Sequence, residues 1–290
     1  MSGDPDQEYF ADGITEDIIT ALSKISKLQV IARNSSFIYK GRAVKISDVA
    51  RDLGVGYVFE GSVRAANNRV RITAQLIEAG SERHVWAERY DREVSDIFAL
   101  QDEITSEIVI ALQVNLSERD QARLRRRQTD NVEAWDYFVR GLHGMISGSH
   151  AQVNQALELL EHAVILDPNF AVARVGIDRF HWQIARAHWT DTPEIFFQKA
   201  VKCANQAMAI DDTMPDTHAF NGTVLLFRRR FAEAVTTGGK AVDLGTNSAE
   251  TYVILAHILN YVDKAAQKEP GQCVFGFQTR GPVHGTRPGR

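Results

Sequence analysis

The chain has 290 residues, 44% hydrophobic and 24% charged, with a net charge of −4, a balance that suits folded domains and gives no overall pull towards nucleic acid or anionic membrane. Its two cysteines, Cys203 and Cys273, lie far apart without CxxC spacing, which argues against a disulfide framework or zinc site. No run approaches the roughly 20 apolar residues of a bilayer span, and the start Met1-Ser2-Gly3-Asp4-Pro5-Asp6 is the opposite of a signal peptide, so a cytoplasmic location is expected.

In chain order, Ile14, Ile18, Leu22 and Ile25 share a helical face, with Asp12 near its start. Residues 28–32 form a short run rich in β-branched residues, read as a buried strand, and the polar loop Arg33-Asn34-Ser35-Ser36 follows. A short helix is expected over 46–53, stopped at Gly54 and Gly56. Strands are expected over 57–64 and 69–79; in the second, Val70, Ile72, Ala74 and Leu76 alternate with Arg71, Thr73 and Gln75, the pattern of a half-buried antiparallel hairpin. Another strand is read over 84–90, and Ile97, Leu100, Ile104, Ile108 and Leu112 mark a long amphipathic helix. The first 113 residues therefore read as an α/β unit, a small mixed sheet with packed helices. Residues 114–130 read as the end of the long helix plus a helical linker.

From 131 to 264 the pattern is helical throughout. Ala200 and Ala207 recur 34 residues later as Ala234 and Ala241, and an earlier copy stands at Ala156 and Ala163, closed by Leu166-Asp167-Pro168. Small residues at this spacing and period indicate stacked helix pairs, an all-α solenoid of the tetratricopeptide kind. The expected helices are 132–145 with 152–166, 170–187 with 195–210, and 215–228 with 231–244, then an unpaired one over 248–262. Gly222 supplies the small residue that close helix contact needs. The spacing stretches to 44 between the first two copies, consistent with an insertion near His188 to Pro193. Residues 265–290 read as a disordered tail: 271–290 holds five glycines, two prolines, three arginines and no acid.

No motif carries chemistry. There is no P-loop; Gly54, Gly56 and Gly61 close a helix and enter a strand instead of opening a helix, so they are not a dinucleotide fingerprint. Ser62 lacks a GxSxG frame. His181 and His188 have no carboxylate at ligand spacing. Glu8, Asp12, Glu16 and Asp17 read as a solvated helix start favoured by the macrodipole. The clusters 125–127 and 228–230 lie near helix ends, without the interleaved aromatics of a nucleic-acid surface. Arg33, Asn34 and Ser35 are ligand-loop candidates, because ligands of open α/β sheets dock beyond strand ends. The concave face of the repeats is the better case, with Tyr137, Arg140, Arg174, Asp178 and Thr223 as partner-groove candidates. Ala219, Thr223 and Leu226 stand where a carboxylate clamp would carry lysine and asparagine.

Four strings carry a resemblance: Glu8-Tyr9-Phe10-Ala11-Asp12-Gly13-Ile14-Thr15-Glu16-Asp17-Ile18-Ile19, Val30-Ile31-Ala32-Arg33-Asn34-Ser35-Ser36, Leu53-Gly54-Val55-Gly56-Tyr57-Val58-Phe59-Glu60-Gly61-Ser62-Val63-Arg64 and Trp86-Ala87-Glu88-Arg89-Tyr90-Asp91. Together they resemble the TolB-amino-terminal-like domain of bacterial multidomain regulators, and the wording looks most like the rhizobial, cyclase-linked version. The resemblance covers about residues 1–260. It implies a place between an amino-terminal output module, often a class III adenylate/guanylate cyclase and sometimes a winged helix, and carboxy-terminal repeats. Family members carry an apolar strand before the first string, so one strand is expected to be missing. No residue here matches the cyclase's metal-binding aspartates; no catalytic, cofactor or metal residue is carried over. The chain is expected to be a non-catalytic sensory piece that couples a protein or peptide partner, or a ligand, to an output module. Self-association is compatible with this. The alternatives are an adenylate cyclase and the regulatory part of a winged-helix transcription factor.

Overall fold

The computed structural model describes residues 5–144, 150–187, 189–245 and 248–268. The first helix, α1 (Pro5–Ser23), buries Phe10, Ile14, Ile18 and Leu22 on one side. A one-turn helix α2 (Arg33–Ser36) and a 3-10 turn (Phe37–Tyr39) lead to α3 (Ile46–Leu53). Gly54 closes α3 at φ 68°, a left-handed conformation that costs glycine nothing.

Three strands follow, β1 (Tyr57–Ala66), β2 (Arg69–Glu78) and β3 (Arg83–Glu93), in the order β1-β2-β3. Both pairings are antiparallel. The β1–β2 turn is Asn67-Asn68, with φ of 52° and 60°, the paired left-handed residues whose twist matches a two-residue hairpin. Val70, Ile72, Ala74 and Leu76 of β2 point inwards and are buried; Arg71 and Thr73 are exposed. The inner face is covered by α1 and by α4 (Ile97–Ala111), whose Ile97, Leu100, Ile104 and Ile108 are buried.

This corrects the expected mixed sheet. Among the described residues the sheet is wholly antiparallel, because its strands join through short turns. The 28–32 run forms no strand, and its side chains are only half-buried or exposed. The linker also differs. The long helix ends at Ala111, Gln113 adopts φ 53°, and a separate helix α5 (Glu118–Leu124) begins with a capping box. Ser117 Oγ accepts from the Asp120 amide at 3.1 Å, while Asp120 accepts from the Ser117 amide at 3.2 Å. Asp120 also accepts from the Ser26 amide at 3.2 Å, tying α5 to the end of α1. Ser117→Ala is expected to lower stability by about 1 kcal/mol, measurable as a reduced urea midpoint with unchanged slope.

The remaining helices are α6 (Val132–Gly144), α7 (His150–Leu166), α8 (Ala171–Arg186), α9 (Pro193–Ile210), α10 (Pro215–Phe227), α11 (Phe231–Leu244) and α12 (Ala249–Lys268). They pair as α6–α7, α8–α9 and α10–α11, and α12 packs on α10 and α11. Ala156, Ala163, Ala200, Ala207, Ala234 and Ala241 are all buried. A Cβ on Gly222 would stand 3.0 Å from Ile258 and 3.3 Å from the Ala234 carbonyl, so a glycine permits that approach. Asp167 of the Leu-Asp-Pro corner accepts from Thr129 Oγ1 at 2.6 Å and from the Asn169 amide at 2.9 Å. Met145, His188, Cys273 and the expected tail beyond Lys268 lie outside the described residues; 265–268 continue α12. One apolar core runs without a break from Phe10 through the sheet and α4 to Ile184 of α8. A smaller one joins α10, α11 and α12 around Ile258.

Candidate functional site

Helices α8, α10 and α12 present one continuous face. On α8, Arg179, Trp182 and Arg186 follow helical spacing; on α10, Asp216, Phe220, Thr223 and Phe227 do the same. The contacts join them. Arg179 lies over the Phe220 ring at 4.9 Å and pairs with Glu250 of α12 at 3.1 Å. Trp182 meets Phe227 edge-on at 5.4 Å, Phe227 meets Tyr261 of α12 at 6.4 Å, and Arg186 stacks over Trp182 at 4.7 Å. Phe227 is 40% and Tyr261 48% exposed, so aromatic surface at one end of this face is open to solvent.

The other end is acidic. Burial raises Asp216 to about 6, and repulsion from Glu250 and Glu16 adds to it against the pull of Arg179. Burial likewise raises Glu16, with Arg33 opposing. Glu16 belongs to α1, which packs along α6. Tyr9 donates to Asp136 at 2.9 Å, Arg140 donates to the Tyr9 hydroxyl at 3.0 Å, and a Cβ on Gly13 would come within 2.5 Å of Val139. At the centre of this contact Asp17 Oδ2 accepts from Trp135 Nε1 at 2.7 Å and from Gln101 Nε2 at 2.9 Å, joining α1, α4 and α6. Burial pushes Asp17 up to about 7, although both donors favour the charged form.

The partner-groove candidates separate. Thr223 is on the α8–α10–α12 face, its hydroxyl donating to the Ala219 carbonyl at 3.2 Å. Arg140 engages α1 and Asp136. Tyr137 packs on His162 of α7 at 4.5 Å. Arg174 donates to the Pro168 carbonyl at 2.9 Å and to Gln206 of α9 at 3.1 Å, on the opposite side of α8 from Arg179. Asp178 is 1% exposed, and burial raises it to about 8. Residues missed from sequence are Arg179, Trp182, Phe220, Phe227 and Tyr261; the signal was the i, i+3, i+7 stripe 179, 182, 186.

Among the ligand-loop candidates, Arg33 pairs with Glu16 at 3.3 Å and Asp12 at 3.7 Å and lies over Phe37 at 4.2 Å. Asn34 and Ser35 are exposed. They belong to α2, and the strand expected before them does not form. The acidic face of α1 is solvated only in part: Glu8 is exposed, but Lys40 binds Glu8 at 2.8 Å and Asp12 at 2.5 Å, and Asp12 is 7% exposed. The arginine clusters also serve internal contacts. Arg126 pairs with Asp211 at 3.2 Å, Arg127 with Asp102 at 2.6 Å and Arg230 with Glu233 at 2.5 Å. Among the described residues no three His, Cys, Asp or Glu side chains converge as metal ligands, and no helix is long and apolar enough to cross a membrane.

No family model matches the chain. The solved TPR domain of Arabidopsis OM64 overlays with a TM-score of 0.36 and 17% identity, covering 44% of this chain and 96% of that one. The Sgt2 TPR domain from Aspergillus fumigatus overlays with a TM-score of 0.39 and 14% identity, covering 54% and 97%. A protein of Rhizobium meliloti (strain 1021) named Putative adenylate cyclase 3 is 44% identical over 234 residues, which are 81% of this chain and 40% of that protein. The chain thus spans about two fifths of the length of this curated relative.

Proposed function

We propose that the chain is the non-catalytic sensory part of a signalling protein, in which tetratricopeptide-type repeats following a TolB-amino-terminal-like domain bind a protein segment and pass that event to an output module. The observation that carries this reading is the α8–α10–α12 face, where solvent-open Phe227 and Tyr261 lie beside Trp182 and Arg186. Tryptophan, tyrosine and arginine are the side chains that dominate binding energy at interfaces. Glu16, Asp216 and Glu250 surround one arginine at the other end, so the segment that fits has a cationic end and an apolar end. The core shared by α1, the sheet and α6–α8 supports transmission, since a shift of the repeats strains α1. The relative named as an adenylate cyclase favours cyclic-nucleotide synthesis as the output of a longer protein.

A photo-crosslinking residue at position 223 tests the reading, with position 73 on the open sheet face as control. Saturable labelling of a defined protein from 223 alone is expected, reduced about tenfold or more by Phe227→Ala with Tyr261→Ala, since each buried aromatic anchor is worth 1 kcal/mol or more. Equal labelling from both positions, or cyclic AMP made from ATP and a divalent metal by this chain alone, overturns it.

A further inference from the structure

On the opposite side of α8 from the α8–α10–α12 face, α7, α8 and α9 line an open, shallow cavity of about 440 Å³, a volume within the range of small-molecule sites. Its walls are apolar where α7 contributes Val164 and Ile165, and Ile177 of α8 extends that surface. Ile165 is 71% exposed and leaves apolar surface open to whatever occupies the cavity. The rim is cationic. Arg174, Lys199 and Lys202 line it against a single acid, Glu161, and none of these four makes an ion pair among the described residues.

At the floor stands His181, 3% exposed. Its Nδ1 lies 3.1 Å from the Ile177 carbonyl. A carbonyl can only accept, so Nδ1 carries the proton and Nε2 presents a lone pair. Burial lowers this imidazole to about 4, with Lys199 adding repulsion, which keeps it neutral at physiological pH. Nε2 is buried and has no partner. A buried acceptor left unmade is costly, and a donor entering from the cavity would satisfy it.

We propose that this cavity binds a small carboxylic acid with an apolar body and a hydroxyl at its far end, the carboxylate held by Lys199, Lys202 and Arg174 and the hydroxyl donating to His181 Nε2. The apolar body covers Ile165 and Ile177. The site is independent of the α8–α10–α12 face and gives the repeats a second input.

Titration calorimetry on the intact chain tests it with three matched probes: 4-hydroxyphenylacetate, phenylacetate and 4-hydroxyphenethyl alcohol. The first is expected to bind saturably. Removing the hydroxyl or the carboxylate should each weaken binding about tenfold, the effect of one lost hydrogen bond or ion pair in a desolvated site. Lys202→Glu, a change at an exposed position that leaves the core untouched, should weaken the two acids by about tenfold and leave the alcohol unchanged. In nitrogen-15 spectra, 4-hydroxyphenylacetate and 4-hydroxyphenethyl alcohol, which both carry the phenolic hydroxyl, should shift His181 Nε2 at saturation, and phenylacetate should not. Absence of saturable binding, equal affinity for 4-hydroxyphenylacetate and phenylacetate, or indifference to Lys202→Glu overturns the proposal.

Discussion

Trp135→Ala is expected to destabilise the protein by about 3–5 kcal/mol, a large share of the 5–15 kcal/mol typical of a folded domain. Trp135 is 1% exposed. Its indole meets Phe10 of α1 edge-on at 5.4 Å and Phe98 of α4 at 6.1 Å, so one side chain of the first repeat helix fills the space between two helices of the preceding unit. Truncation opens a cavity where three elements meet and removes the hydrogen bond that Asp17 receives at 2.7 Å. Asp17 would keep only Gln101, and a desolvated carboxylate with one donor responds by taking up a proton. Trp135→Phe separates the two contributions: it retains most of the aromatic packing and loses only the N–H, for an expected cost of about 0.5–1.5 kcal/mol at pH 5.5, where burial keeps Asp17 protonated, and about 1.5–3 kcal/mol at pH 8, where it is ionised. Urea unfolding followed by circular dichroism reads both. A loss below about 1 kcal/mol for Trp135→Ala would mean that α1 and α6 do not share this core.

The same contact shows what was legible in the sequence. The repeat helices were, because buried alanines recur at fixed spacing; Pro193, read as part of an insertion, instead opens α9 at its first position. The half-buried hairpin was, through the alternation in β2. The sheet type was not. A run such as 28–32 has strand-like composition, but composition does not say whether a ladder partner exists, and here helices α1 and α4 take the covering role. The expected groove residues separate by helical phase. Asp178 and Arg179 are neighbours in sequence, yet one residue turns a helix by about 100°, placing Asp178 in the interior and Arg179 over Phe220. Arg140 was read as a groove residue, but its partner Tyr9 stands 131 residues earlier, and periodicity carries no information about contacts of that range. The acidic face of α1 was legible only in part for the same reason, since Lys40 and Arg33 reach it only through the fold.

Stability is expected to fall between pH 5 and pH 8, opposite to the acid denaturation usual for proteins rich in surface ion pairs. Asp17, Asp178 and Asp216 are held at about 7, 8 and 6 in the folded chain, each chiefly by burial, against an ordinary 3.8. A raised carboxyl keeps its proton in the folded state while the unfolded chain has lost it. Its stabilising contribution is therefore complete below the unfolded value and disappears as pH climbs to the folded one. Each such group contributes about 1.4 kcal/mol per pH unit within its window. His181 acts in the other direction: lowered to about 4 by burial, it is charged only in the unfolded chain between 4 and 6.5, so its contribution is lost as pH falls through that window. Three acids outweigh one histidine between pH 4 and 6, and Asp17 with Asp178 continue the decline towards 7 and 8. Unfolding free energies from urea titrations at pH 5.5 and 8 should therefore differ by several kcal/mol in favour of the lower pH, an order-of-magnitude figure from the same conversion. Asp17→Asn isolates the largest contact. Its amide oxygen can accept from both Trp135 and Gln101 without bearing charge, so the variant should gain stability at pH 8, match the parent at pH 5.5 or below, and show a flatter profile between. A parent profile that rises from pH 5.5 to 8, or an Asp17→Asn variant weaker at pH 8, would mean that this carboxylate is ionised and well solvated where α1 meets α6.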